Sequence, residues 1–95
     1  SKLDKKAISK TRIDMNALAK SVVSDIESDL DTKATILIHP LHEIEADYGL
    51  MKQVMYNLIA NAVKYSSKVQ HPYIEVSSKE EGNEIIFAVR DNGIG

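Results

Sequence analysis

Apolar residues along the chain keep two helical rhythms and several short alternating ones. From Met15, the positions Leu18, Ala19, Val22, Val23, Ile26 and Leu30 recur at three- and four-residue steps. That spacing gathers them on one stripe, so an amphipathic helix is predicted to about residue 29, with Asp14 or Asn16 as its cap. A second series is clearer. Leu50, Met51, Val54, Met55, Leu58, Ile59, Ala62 and Val63 fall in pairs every four residues, which predicts a helix over about 48–65. Residues 11–14, 34–38 and 43–46 read as short strands, the second stopped by Pro40, which lacks the N–H that a ladder needs. In 73–79, Ile74 and Val76 alternate with Glu75 and Ser77. In 84–90, Ile85, Phe87 and Val89 share one face, with Ile86 and Ala88 on the other. The polar turn Glu80-Glu81-Gly82-Asn83 joins these two strands into an antiparallel hairpin. The order βαββαββ predicts an α+β fold, a two-layer α/β sandwich with helices on one face of a mixed sheet.

Composition narrows the possibilities. The chain has 95 residues, room for one small domain with a thin core. An apolar share of 43% reads as a soluble globular chain, not a disordered one. A net charge of -2 leaves no basic field for nucleic acid or an anionic membrane. The one basic cluster, Lys2, Lys5, Lys6 and Lys10, reads as a solvated linker over residues 1–10. With no cysteine there are no disulfides or thiolate sites, which is compatible with the cytoplasm, the expected location. No apolar run approaches transmembrane length, so any membrane anchor of a parent protein would lie outside this stretch.

The second helix carries a polar series that packing does not require. Gln53, Asn57, Asn61 and Tyr65 stand four residues apart and form a stripe along one face, with Lys64 beside it. Asparagine is roughly 0.6 kcal/mol worse than alanine in a helix. The stripe is either the wet face of an amphipathic helix or the polar wall of a ligand cleft. An amide oxygen suits a hard cation such as Mg²⁺, its N–H₂ suits phosphate, and a lysine adds a point charge. Asp91-x-Gly93-x-Gly95 follows the last strand. A carboxylate there can accept from an exocyclic amine such as that of adenine, and the glycines permit close approach of the backbone. Taken alone, Asp-Asn-Gly is an ordinary turn.

Together, in this order and on these elements, the two motifs are more specific. The stretch from Gln53 through Asn57, Asn61, Lys64 and Tyr65 to Ser66 resembles the N box of sensor histidine kinases, and Asp91-Asn92-Gly93-Ile94-Gly95 resembles their G1 box. The resemblance runs from about Thr11 to the end, and implies a partial ATP-binding domain over 11–95 with an incomplete Bergerat-type (GHKL) fold. It implies that Asn61 coordinates Mg²⁺ and that Asn57 lies in the same cleft. Lys64 and Tyr65 match positions that reach the phosphates. Asp91 matches the acceptor for the adenine amine, and Gly93 and Gly95 flank the base. No residue here is implied to act as a catalytic base. In the family, a histidine on a separate helical dimerisation domain attacks the γ-phosphate of ATP, and a response-regulator receiver domain takes the phosphoryl group afterwards. Residues 1–10 would be the linker from that helical domain.

One departure separates this chain from the gyrase, Hsp90 and MutL type of ATPase, which carries a glutamate where Asn57 stands. An amide has no basic lone pair at neutral pH and cannot activate water. An ATP-hydrolysing switch is therefore disfavoured. A non-catalytic scaffold or dimerisation module is a further alternative. The family continues beyond the G1 box with a lid, a second glycine-rich box, a helix and further strands. The isolated piece is therefore expected to bind ATP weakly or not at all, with a homodimer as one way to cover the incomplete sheet. His39, His42 and His71 lack the helical context of the phosphorylated histidine and read as loop residues.

Overall fold

Both predicted helices form, and each starts where an aspartate can cap it. The computed structural model describes residues 10–93. The linker before residue 10, and Gly95 with its predicted place beside the base, lie outside the described residues. Helix α1 runs Met15–Leu30, and Asp14 caps it by accepting from the Ala17 N–H at 3.2 Å. Helix α2 runs Tyr48–Ser66, with Asp47 accepting from the Leu50 N–H at 2.9 Å. Such caps satisfy donors that the helix itself leaves unpaired, each worth about 1 kcal/mol. The chain leaves α1 through Asp31 in the left-handed region at φ 46°. Ser66, one residue past the predicted end of the helix, closes α2. It is fully buried, and its hydroxyl donates to the carbonyls of Ala62 at 2.8 Å and Val63 at 3.3 Å.

Among the described residues, five strands complete the sandwich: β1 Lys10–Ile13, β2 Thr35–Ile38, β3 Ile44–Asp47, β4 Tyr73–Glu81 and β5 Glu84–Asp91. Lys10 thus belongs to β1 and not to the predicted linker. The strands divide into two sheets. β2, β4 and β5 form the larger, with β2 parallel and β5 antiparallel to the central β4. β1 and β3 pair antiparallel as a separate ribbon, Ile13 opposite Ile44. The β4–β5 hairpin is tighter than the sequence suggests. Glu81 pairs with Glu84, so only Gly82 and Asn83 turn, with Gly82 at φ 61° where glycine meets no steric cost.

α1 packs on α2 and β2, while α2 lies over β4 and β5. The core between the layers holds Leu18, Val22 and Ile26 from α1, Met55 and Ile59 from α2, and Ile74 and Val76 from β4, all essentially without exposure. Clamps hold the periphery. The Asn16 side chain donates to the His39 carbonyl at 3.1 Å and accepts from the Leu41 N–H at 2.8 Å. His39 pairs with Glu75 at 3.0 Å, so it is half-buried against the sheet, and the His42 ring meets the Ser78 hydroxyl at 2.7 Å.

Candidate functional site

A helix stripe and a strand face meet at one cavity. Leu58, Asn61, Ala62 and Tyr65 stand at positions i, i+3, i+4 and i+7 of α2, so they share a side of the helix. Phe87, Val89 and Asp91 alternate along β5 and share its face. Where the two surfaces converge they line an open cavity of about 270 Å³. Leu58, Ala62, Phe87 and Val89 give apolar walls, while Asn61, Tyr65 and Asp91 supply the polar groups. Tyr65 is 64% exposed, so its ring is open to a planar ligand. Small-molecule pockets of about 300–1,000 Å³ with mostly apolar walls and a few placed polar groups are the usual form of such sites.

Asp91 is braced. Its Oδ1 accepts from the Gly93 N–H at 2.8 Å, and among the described residues its Oδ2 makes no hydrogen bond. Gly93 lies against α2 so closely that a Cβ there would overlap the Tyr65 carbonyl oxygen and come 2.8 Å from the carbonyl carbon. Close approach, rather than an unusual φ, is what demands glycine at this position. Between them, Asn92 reaches back to the start of β4. Its Oδ1 accepts from the Tyr73 N–H at 2.9 Å, its Nδ2 donates to the His71 carbonyl at 2.9 Å, and its own N–H donates to the Tyr73 carbonyl at 3.2 Å.

The structure thus brings together Asn61, Tyr65 and Asp91, with Gly93 behind them. Asn57 and Lys64 are exposed on α2 but do not line the cavity. Helix geometry accounts for this. Each i+4 step drifts about 40° around the axis, and Asn57 lies roughly 6 Å before Asn61 along it. Sequence reasoning missed Leu58, Ala62, Phe87 and Val89, whose periodicity reads as core, and Asn92, which reads as turn filler. Two other cavities of about 300 Å³ lie around Lys33, Gln70 and Pro72, and hold none of the predicted residues. On another side of α2, the Tyr56 hydroxyl donates to Asp29 on α1 at 2.8 Å. That bond, aided by desolvation and the nearby negative charge, raises the Tyr56 pKa above its ordinary value.

Known proteins resemble this chain in sequence and fold. The family model described as "Histidine kinase-, DNA gyrase B-, and HSP90-like ATPase" matches residues 46–95, which contain α2, the hairpin and the Asp91 loop. The methanogenesis regulatory histidine kinase FilI of Methanothrix harundinacea is 42% identical over 52 residues, 55% of this chain and 6% of that protein. Cyanobacterial phytochrome A of Nostoc sp. is 35% identical over 96 residues, 100% of this chain and 12% of that protein. The sensor protein kinase WalK of Staphylococcus aureus is 31% identical over 101 residues, 100% of this chain and 16% of that protein. The chain therefore spans a small fraction of each. Among solved structures, the Acinetobacter baumannii histidine kinase AdeS superposes with a TM-score of 0.76 at 25% identity, covering 93% of this chain and 44% of that one. The nucleotide-free catalytic domain of histidine kinase ThkA gives 0.75 at 21% identity, covering 90% of this chain and 60% of that one, a likeness of fold.

Proposed function

The chain belongs to the histidine kinase-, DNA gyrase B- and HSP90-like ATPase family, and we propose that it holds ATP for transfer of the γ-phosphoryl group to a histidine on a separate dimerisation domain of the same protein. From there a response-regulator receiver domain would take it. One observation carries this reading. A carboxylate braced at one oxygen, Asp91, stands at an apolar cavity whose helical side presents Asn61 and Tyr65. Some 270 Å³ accommodates a purine base and leaves the phosphates to the open surface of α2.

Each residue then has a task. Asp91 Oδ2 accepts from the adenine amine while Phe87, Val89 and Leu58 exclude water from the ring. Asn61 and Tyr65 receive the sugar–phosphate end, and Asn57 and Lys64, exposed on the same helix, meet the phosphates. The Asn61 amide oxygen is a hard donor that fits Mg²⁺, an ion that keeps waters and takes phosphate oxygens, so one protein ligand suffices. When bound with ATP it would neutralise phosphate charge. Asn57 cannot deprotonate water, so the site favours transfer to an acceptor supplied from elsewhere. The segment before β1 is proposed as the connection to the histidine-bearing domain.

The test is thermal unfolding of the chain with Mg²⁺ and a non-hydrolysable ATP analogue. Saturation at ~100 times the dissociation constant adds about 2.7 kcal/mol. For a domain of this size the midpoint rises on the order of 10 °C. The rise should vanish in Asp91→Asn and lose its Mg²⁺ dependence in Asn61→Ala. A rise that both variants retain in full would remove the site assignment.

A further inference from the structure

Asn92 does not itself line the cavity, yet it makes three hydrogen bonds to a segment 19 to 21 residues earlier in the chain. We infer that Asn92 is a positioning residue that sets base selectivity, by holding the Asp91 carboxylate rigid against the start of β4. The inference rests on the reading of Asp91 as the base acceptor.

Only a carboxamide supplies what this position asks for. The Tyr73 N–H needs an acceptor and the His71 carbonyl needs a donor, on either side of Pro72, and one amide serves both at 2.9 Å each. Aspartate keeps the first bond and turns the second into a repulsion. Alanine loses both. The bonds sit on the residue directly after Asp91, and the residue after that is pressed on the Tyr65 backbone. The three-residue loop is therefore anchored twice, to β4 through Asn92 and to α2 through Gly93. Directly before the anchors, Asp91 has its Oδ1 committed to the Gly93 N–H at 2.8 Å, which leaves Oδ2 as the acceptor with a fixed direction.

Rigidity is what converts an acceptor into a discriminator. Adenine presents an amine at its 6 position and hypoxanthine a carbonyl oxygen. A carboxylate that cannot turn away is left facing a second acceptor, desolvated and unpaired. One that can swing into water tolerates the wrong base. Loss of the Asn92 anchor should thus weaken adenine binding and strengthen hypoxanthine binding, so that the preference between them narrows.

The experiment measures dissociation constants for ADP and IDP, each with Mg²⁺, on the full chain by ligand-observed NMR titration, which reads millimolar affinities. Wild type should prefer ADP. In Asn92→Ala the ADP-to-IDP preference should fall about tenfold, the worth of one hydrogen bond to a charged group. A merely structural role would lower the unfolding midpoint and leave the ratio alone. Should Asn92→Ala fail to fold, the isosteric Asn92→Asp carries the same expectation. An unchanged ratio in the folded variant overturns the inference. Asp91→Asn separates the two levels. If it too leaves the ratio intact, or if wild type shows no preference, the reading of Asp91 falls and takes this inference with it. If only Asp91→Asn abolishes the preference, the Asn92 inference alone is wrong.

Discussion

Gly93→Ala is the smallest change that should damage the site. One added methyl would overlap the Tyr65 carbonyl oxygen and stand 2.8 Å from its carbon and 2.9 Å from Asp91 Oδ1, where ordinary contact begins near 3.4 Å. Two of those three atoms are helix backbone in α2, held by the helix itself, and cannot yield as a side-chain tip would. Residue 93 must therefore move off the helix. That motion breaks the 2.8 Å bond to Asp91 and strains the neighbouring Asn92 bonds. Overpacking of this kind costs about 1–3 kcal/mol. At about 4–8 °C per kcal/mol for a chain of this size, the unfolding midpoint should drop by at least ~4 °C. Gly82→Ala is the control. Its Cβ meets nothing within 4 Å, but its φ of 61° penalises any side chain, by about 1–2 kcal/mol. Both variants lose stability, but only Gly93→Ala should also weaken Mg²⁺–ADP binding, by about tenfold through the lost Asp91 brace. Circular dichroism and the same nucleotide titration read both quantities. Equal ADP affinity in the two variants would show that the contact with Tyr65 does not organise the site.

Two further predictions test the packing. Ile59→Ala empties a fully buried position on α2 between α1 and the sheet, so it should cost about 2–5 kcal/mol, read as a lower urea midpoint at unchanged slope. A loss under 1 kcal/mol would mean that the two layers do not close over this residue. The raised pKa of Tyr56 contributes stability that is present below the ordinary tyrosine value of 10.0 and is lost as pH rises through the folded-state value. The midpoint measured from about pH 8 to 11.5 should therefore fall less steeply in Tyr56→Phe than in wild type; identical slopes would remove the Asp29 bond as the cause.

Legibility in the sequence followed the strength of local periodicity. α2 was plain because its apolar pairs recur through four turns, yet its end was not, since a serine reads as loop until its hydroxyl is seen bonding back to Ala62 and Val63. The two strands of the β1–β3 ribbon were legible to within a residue, but their pairing was opaque. Ile13 is the ribbon's one buried residue, with the half-buried Ile44 opposite, which leaves no alternation to read, and nothing local says that two four-residue strands so far apart will meet. At the candidate site, Asn61, Tyr65 and Asp91 could be singled out because polar residues stood where packing did not need them, and the structure brings them to one cavity. The apolar walls were hidden for the opposite reason. Phe87 and Val89 follow the same alternation as core residues, and only the third dimension shows that they face a cavity. Asn92 was hidden because Asp-Asn-Gly is a common turn, and its partners lie in a loop with no periodicity.

The place of Asp91 is decided far from the site. Two turn residues, Gly82 and Asn83, set Glu81 opposite Glu84, and every later pair follows from that register out to Asp91 opposite Ile74. Asp91 shares the parity of Phe87 and Val89, so it arrives on the face that α2 covers. A turn longer or shorter by one residue would move it to the outer face, because side chains alternate strictly along a strand. The turn stands about 24 Å from Asp91 along β5. Over that span the register is kept by the buried Ile74 and Val76 on β4, which would be carried out of the core by a slip. The same residues that close the hydrophobic layer thus fix the direction of the carboxylate. Asn92 and Gly93 then only have to hold the last turn of backbone against β4 and α2. Core packing and the geometry of the cavity are in this sense one constraint, and a change that loosens the sheet beneath Ile74 should be felt at Asp91 before the fold is lost.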